Sequence, residues 1–242
     1  MPQNIEKPSA RKNALCRAAL YLAGLTVLAV GITLNTKTTL GVSPIISVSY
    51  CVSQIRGWNF GDTTFLWYGV FVLTEMALHL IKRAPGWGKL LGLDALQMLV
   101  SLLFTRFMNL FSAVIPVFET AYPDSFAGSL AGRFLLLLLA IFLTGVGAAL
   151  SLDMRIVPNP GDGLVQGISD FTGIGTGMAK NLVDLCCVLL TLALSLLSAG
   201  RIIGIGIGTL TAVLGVGRVV ALFERVCGTG IRTLVPQRTQ GS

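Results

Sequence analysis

Long apolar runs separated by short polar breaks set the plan of this chain. Residues 14–34, 65–81, 90–117 and 134–152 approach or exceed the roughly 20 apolar residues that a helix needs to cross a bilayer, and 180–197 and 202–223 add two more. The pattern predicts an all-α, polytopic membrane protein with six long spans.

Two of the breaks are unlike ordinary loops. Residues 157–177 (VPNPGDGLVQGISDFTGIGTG) hold two prolines, two aspartates and several glycines between long apolar runs. At membrane depth such backbone is tolerated only where protein or a water-filled cavity satisfies it. Asn159 suits an N-cap, Pro160 the first helical position, and Asp162 the positive end of the helix dipole. Residues 163–171 are apolar enough to continue as a short helix. The segment therefore reads as a half-helix whose N-terminus opens inside the membrane and offers unpaired N–H groups to a ligand. Residues 41–57 repeat the design, with Ser43 as cap and Pro44 at the first helical position.

These segments belong to a longer match. An offset of 116 positions carries Pro44 onto Pro160, Ser53 onto Ser169, Gly57 onto Gly173 and Gly61 onto Gly177. The same offset carries Arg17 onto Arg133, Gly31 onto Gly147 and Gly92 onto Gly208. Leucine-rich composition produces chance matches of Leu, but not of Gly, Pro and Ser. Each copy holds a long span, a broken segment and two further spans. A re-entrant broken segment makes three crossings per copy and inverts the second copy; a crossing one makes the copies parallel, with eight crossings. The re-entrant plan puts about eleven Lys and Arg on the cytoplasmic side against about four outside, whereas the eight-span plan splits them about nine to six. We therefore expect two inverted repeats of three spans, each with a re-entrant half-helix. The domain plan is a cytoplasmic segment 1–13, a first repeat 14–117, an extracytoplasmic loop 118–129, a second repeat 130–226 and a cytoplasmic tail 227–242.

Composition sharpens this picture. The 242 residues are 53% hydrophobic and 12% charged, with mean hydropathy +0.78, whereas a soluble domain carries about a quarter charged residues. The net charge of +7 comes with no nucleic-acid motif and no aromatic interleaving. It points to topology and anionic lipid headgroups rather than to nucleic acid. Basic residues ahead of the first run, with no small-residue cleavage site after it, mark an uncleaved first span. Cys16, Cys51, Cys186, Cys187 and Cys227 show no C-x-x-C and no metal-ligand spacing, so no disulfide, metal or cofactor is predicted. No H-E-x-x-H and no G-x-S-x-G is present, and no enzyme is expected.

Gly41-Val42-Ser43-Pro44, residues 157–163 and 173–177, and the Ile205-Gly206-Ile207-Gly208-Thr209 turn resemble the YczE/YyaS/YitT group of bacterial membrane proteins. That resemblance implies a bacterial cytoplasmic (inner) membrane protein, and carries no assigned activity or site residues. The first copy departs from the second where Ile45-Ile46 stand in place of Gly161-Asp162.

Ionisable groups inside spans are functional candidates. Lys180 and Asp184, four apart, pair on one helix face, and with Asn181 they are expected beside Asn159–Asp162. Glu75 and His79 are also four apart, near the cytoplasmic end, where the lone His reads as an interfacial residue rather than a ligand or proton relay. Asp94 and Gln97 open the third span, with Asp94 as a partner of the helix dipole. Arg106 needs a counter-charge, and Arg218 either snorkels or pairs with Glu224. The expected function is a transporter or channel for a small polar or ionic solute. Its site would comprise Ser43, Pro44, Asn159, Pro160, Gly161, Asp162, Lys180, Asn181 and Asp184, near mid-depth of the lipid bilayer. The competing reading is a non-transporting membrane partner or scaffold for a biosynthetic or regulatory complex.

Overall fold

The computed structural model describes residues 10–83 and 86–234, with side chains for 13–83 and 86–228. Most of the expected cytoplasmic segment 1–13 and the end of the tail, including Arg238, lie outside the described residues. Among the described residues are nine α-helices and no strand: α1 (Ala10–Lys37), α2 (Pro44–Arg56), α3 (Phe60–Lys82), α4 (Trp87–Val114), α5 (Phe118–Ala121), α6 (Leu130–Asp153), α7 (Pro160–Thr172), α8 (Thr176–Ala199) and α9 (Ile207–Leu234). Six of them (α1, α3, α4, α6, α8 and α9) are long and apolar enough to cross a membrane.

The outside of the bundle is as apolar as its core. Leu73, Leu99, Phe142, Leu189 and Leu222 are exposed, whereas Thr33, Ser47, Thr64, Thr105 and Thr191 are buried. In water this would be an aggregating surface; in lipid it is the natural one. The buried hydroxyls of Thr64 and Thr191 are satisfied by the backbone of their own helices, Thr64 Oγ1 donating to Phe60 O (2.7 Å) and Thr191 Oγ1 to Cys187 O (2.7 Å). That keeps the interior free of orphaned donors at these positions. The chain is a polytopic helical membrane protein.

α1 and α6 form the central pair and run antiparallel. A Cβ on Gly31 would stand 2.5 Å from Thr144 N, and one on Gly147 2.7 Å from Leu28 Cα, so both positions let the two backbones meet. Each helix also caps the end of the other. Arg17 of α1 donates to the carbonyl of Met154 just past α6 (2.6 Å), and Arg133 of α6 donates to that of Thr38 just past α1 (3.4 Å). Each member of one pair lies 116 positions from its counterpart in the other.

The broken segments fold as two helices of 13 residues each. At 1.5 Å per residue that is about 20 Å, short of the roughly 30 Å hydrocarbon core. Both start with proline and end on a left-handed glycine, Gly57 (φ 67°) and Gly173 (φ 77°), a conformation glycine adopts without a Cβ penalty. Past each end the chain is held identically. Ser53 Oγ donates to Trp58 O (2.8 Å), and Ser169 Oγ to Ile174 O (2.7 Å). α2 packs on α8 and α3, and α7 on α3 and α8.

The two halves differ at their last spans. α4 packs along α3, α1 and the edge of α7, whereas α9 packs on α6 and barely touches α8. α9 starts at Ile207 rather than 202. The residues before it form a turn instead, in which Gly204 O accepts from Val42 N (2.9 Å) and Ile203 N donates to Ser195 Oγ (3.3 Å). α9 also continues as helix to Leu234, into the stretch expected to be a tail.

Candidate binding cavity

The starts of α2 and α7 face one another. Gly161, at the second position of α7, lies against Ile45, at the second position of α2: a Cβ there would stand 3.1 Å from Ile45 Cγ2. Around this meeting point lies a cavity of about 260 Å³. Leu28, Ile32, Leu152, Val216 and Val220 form most of its apolar wall, and Ser43, Tyr68, Thr144, Asn159, Asp162 and Lys180 bring polar groups to it. The gap between α8 and α9 falls here, since Lys180 stands on one side and Val216, Gly217 and Val220 on the other.

The two helix starts are capped differently. Asn159 Oδ1 accepts from Gly161 N (3.2 Å), and Asn159 O accepts from Asp162 N (2.9 Å) and Gly163 N (2.8 Å). Pro160 has no N–H, so the donors of this turn are consumed internally, contrary to the expectation that α7 offers them to a ligand. Ser43, by contrast, makes no side-chain cap bond to α2, and it lines the cavity.

Charge in the cavity is nearly balanced. Lys180 Nζ sits 3.2 Å from Asp184 Oδ2, the carboxylate being buried and the ammonium reaching the cavity. Asp162 is half-buried on the wall, in the field of both. Two carboxylates face one ammonium, and the start of α2, which has no side-chain cap bond, adds partial positive charge. Such a site suits a polar or zwitterionic group more than a bare anion or cation.

Of the residues expected to form the site, Ser43, Asn159, Gly161, Asp162 and Lys180 line the cavity. Pro44 and Pro160 are buried at the first positions of their helices, and Asp184 supports Lys180 from behind. Asn181 is exposed and is not part of the cavity wall, because one helical step turns it about 100° from Lys180.

The other intramembrane polar residues are arranged differently from the sequence reading. Glu75, His79, Asp94 and Gln97 are 4%, 9%, 2% and 1% exposed, so all four face the protein interior rather than its outer surface. Asp94 lies two turns inside α4, too deep to serve its dipole, and its Oδ2 is 2.8 Å from His79 Nδ1. Gln97 Nε2 donates to Glu75 Oε2 (2.9 Å). Sequence reasoning missed this four-residue grouping. Its signal was an antiparallel register, since pairing 79 with 94 across the α3–α4 turn also brings 75 near 97. Arg106 has its counter-charge in Asp62, and Arg218 and Glu224 are both exposed.

Comparison with curated proteins and with solved structures finds no match. Over residues 15–225 the chain matches the model of a family of unknown function, DUF6198, and it belongs to that family.

Proposed function

We propose that this protein is a transporter for a small polar or zwitterionic solute with an apolar flank. Its two halves are inverted repeats, and α2 and α7 are re-entrant half-helices. The observation that carries this reading is the shared cavity: residues from both half-helix starts, with Lys180, line one space. Broken helices meeting at mid-depth between inverted repeats are a recurring transporter plan. The antiparallel packing of α1 and α6 supports inversion, because parallel repeats would align their first spans the same way. The reciprocal Arg17 and Arg133 contacts support it too. In this reading Ser43, Asn159, Asp162 and Lys180 hold the polar group, and Leu28, Ile32 and Val216 hold the apolar part. The open side between α8 and α9 is where the second half would close, as α4 closes on α3 in the first.

The motifs shared with the YczE/YyaS/YitT group support residence in a bacterial cytoplasmic membrane, and the Lys and Arg distribution supports a cytoplasmic N-terminus. The test is uptake into proteoliposomes from mixed small polar solutes, including amino acids, polyols and small amines. Saturable uptake that is lost in an Asn159→Ala/Asp162→Ala double variant is expected. A double variant retaining full uptake, or a wild-type chain that takes up none of them, removes the assignment and leaves the scaffold reading.

A further inference from the structure

We propose that Glu75, His79 and Asp94, with the amide oxygen of Gln97, bind one divalent first-row transition-metal ion between α3, α4 and α7. The site is separate from the cavity above and does not depend on the transport reading.

The three ligand residues are buried, and one ligand atom from each lies within 4.8 Å of the others. Around a single ion, donors sit at roughly 2.0–2.2 Å from the metal and so at most about twice that from one another. Small side-chain rotations therefore bring the set to coordinating distance. Occupancy exchanges the His79–Asp94 hydrogen bond for a bond from each residue to the ion. A mixed imidazole and carboxylate donor set suits ions such as Zn²⁺ or Mn²⁺. It also adds positive charge beside two buried carboxylates, of which Asp94 has only His79 as a basic partner.

A second observation points to a ligand. Gln97 is 1% exposed, and its Oε1 has no hydrogen-bond partner, although its Nε2 is used by Glu75. A buried carbonyl oxygen left unpaired is destabilising, and this one stands beside Glu75 Oε2 at the Gly163 position. A Cβ on Gly163 of α7 would stand 2.7 Å from Gln97 Oε1 and 2.6 Å from Glu75 Oε2, so the absence of a side chain at 163 is what leaves room for both. A second cavity, of about 230 Å³, is lined by His79, Lys82, Trp87, Leu90 and Asp170 and gives an ion a route to the imidazole.

Comparison of the two halves isolates the site. The offset of 116 carries Glu75 and His79 onto Thr191 and Ser195, and Gly163 and Gly167 onto Ser47 and Cys51. In that half the positions close on one another, with Ser47 Oγ 2.7 Å from Thr191 Oγ1 and Cys51 Sγ 3.1 Å from Ser195 Oγ. Asp94 and Gln97 correspond to Leu210 and Val213, which are exposed. Every donor is thus confined to one half, and the helix facing the donors carries glycine where its counterpart carries a hydrogen-bonding side chain. Packing alone is satisfied by the Ser and Thr arrangement.

The purified full chain, stripped with chelator, is re-equilibrated separately with Zn²⁺, Mn²⁺ and Mg²⁺, desalted, and its metal measured by mass spectrometry. Retention of about one equivalent of Zn²⁺ or Mn²⁺ is expected, with no retention of Mg²⁺. Glu75→Gln, His79→Gln and Asp94→Asn should each lower affinity at least about tenfold, and a variant with all five cysteines changed to Ser should retain the ion. Equal retention in the three site variants, or no retention by wild type, overturns the proposal. X-ray absorption on the Zn²⁺-loaded wild type needs no variant to fold: nitrogen and oxygen ligands with imidazole scattering support the site, and sulfur ligation contradicts it.

Discussion

Ile45 and Gly161 hold the same place in two separate helices, and they touch. Each is the second residue after its cap, 116 positions from the other, and a Cβ on Gly161 would lie 3.1 Å from Ile45 Cγ2. If the halves are related by a twofold axis, as proposed above, it passes through this contact. The cavity is built around that point, so what happens at its rim follows from which side chains each half supplies.

The contact makes a cross-link prediction. Cysteines at Ile45 and Gly161 fall within disulfide range, where Cβ atoms stand about 3.5–4.5 Å apart. In a background with the five native cysteines changed to Ser, Ile45→Cys/Gly161→Cys should form an intramolecular disulfide under mild oxidant, seen as loss of free thiol. Ile45→Cys/Gly173→Cys, at opposite ends of the same pair of helices, should not.

The two caps should separate stability from ligand binding. Asn159 caps α7, so Asn159→Ala should cost about 1 kcal/mol in a range of 0.5–2. Ser43 makes no cap bond to α2, and Ser43→Ala should leave thermal unfolding in detergent unchanged. Loss of solute uptake with unaltered unfolding in Ser43→Ala identifies its hydroxyl as a ligand contact.

Close approach of α1 and α6 predicts matched penalties. Gly31→Leu and Gly147→Leu force side chains into backbone and should each destabilise by about 1–3 kcal/mol or more, read as a lowered unfolding midpoint. Gly92→Leu, where a Cβ meets nothing within 4 Å, is the control and should change little.

Lys180 and Asp184 should behave as a coupled pair. Lys180→Ala leaves Asp184 buried without its cation, and Asp184→Ala leaves the ammonium without its anion. The double variant should be less destabilised than the sum of the singles, by about 0.5–3 kcal/mol. Additive effects in unfolding measurements would show the pair to be structurally idle.

Much of the frame was legible in the residues. Pro44 and the Asn159-Pro160 cap foretold two short helices close to the bounds found, because proline and a cap act locally, although the Ser43 hydroxyl makes no cap bond. The six long apolar runs foretold the spans. The start of α9 was not legible, since Ile202-Ile203 looks like span sequence but lies in a turn held by Ser195, on Ile203, and by Val42, far away in sequence, on Gly204. The site was legible as far as helix faces allow: Lys180 and Asp184 share one, whereas Asn181 sits a step around it. Glu75, His79, Asp94 and Gln97 were seen as separate pairs, because only the register of α3 against α4 brings them together.

The central claim is that both half-helix starts open on one wet chamber at mid-depth. The direct test is thiol labelling of Ser43→Cys and Asn159→Cys, singly, in the cysteine-free chain in native membranes, with Lys89→Cys and Asp124→Cys reporting the two faces. The account predicts that both half-helix cysteines react with a small charged thiol reagent, that Lys89→Cys reacts only from the cytoplasmic side, and that Asp124→Cys reacts only from the other. Unreactive cysteines at 43 and 159, or labelling of Lys89→Cys from outside, would contradict it.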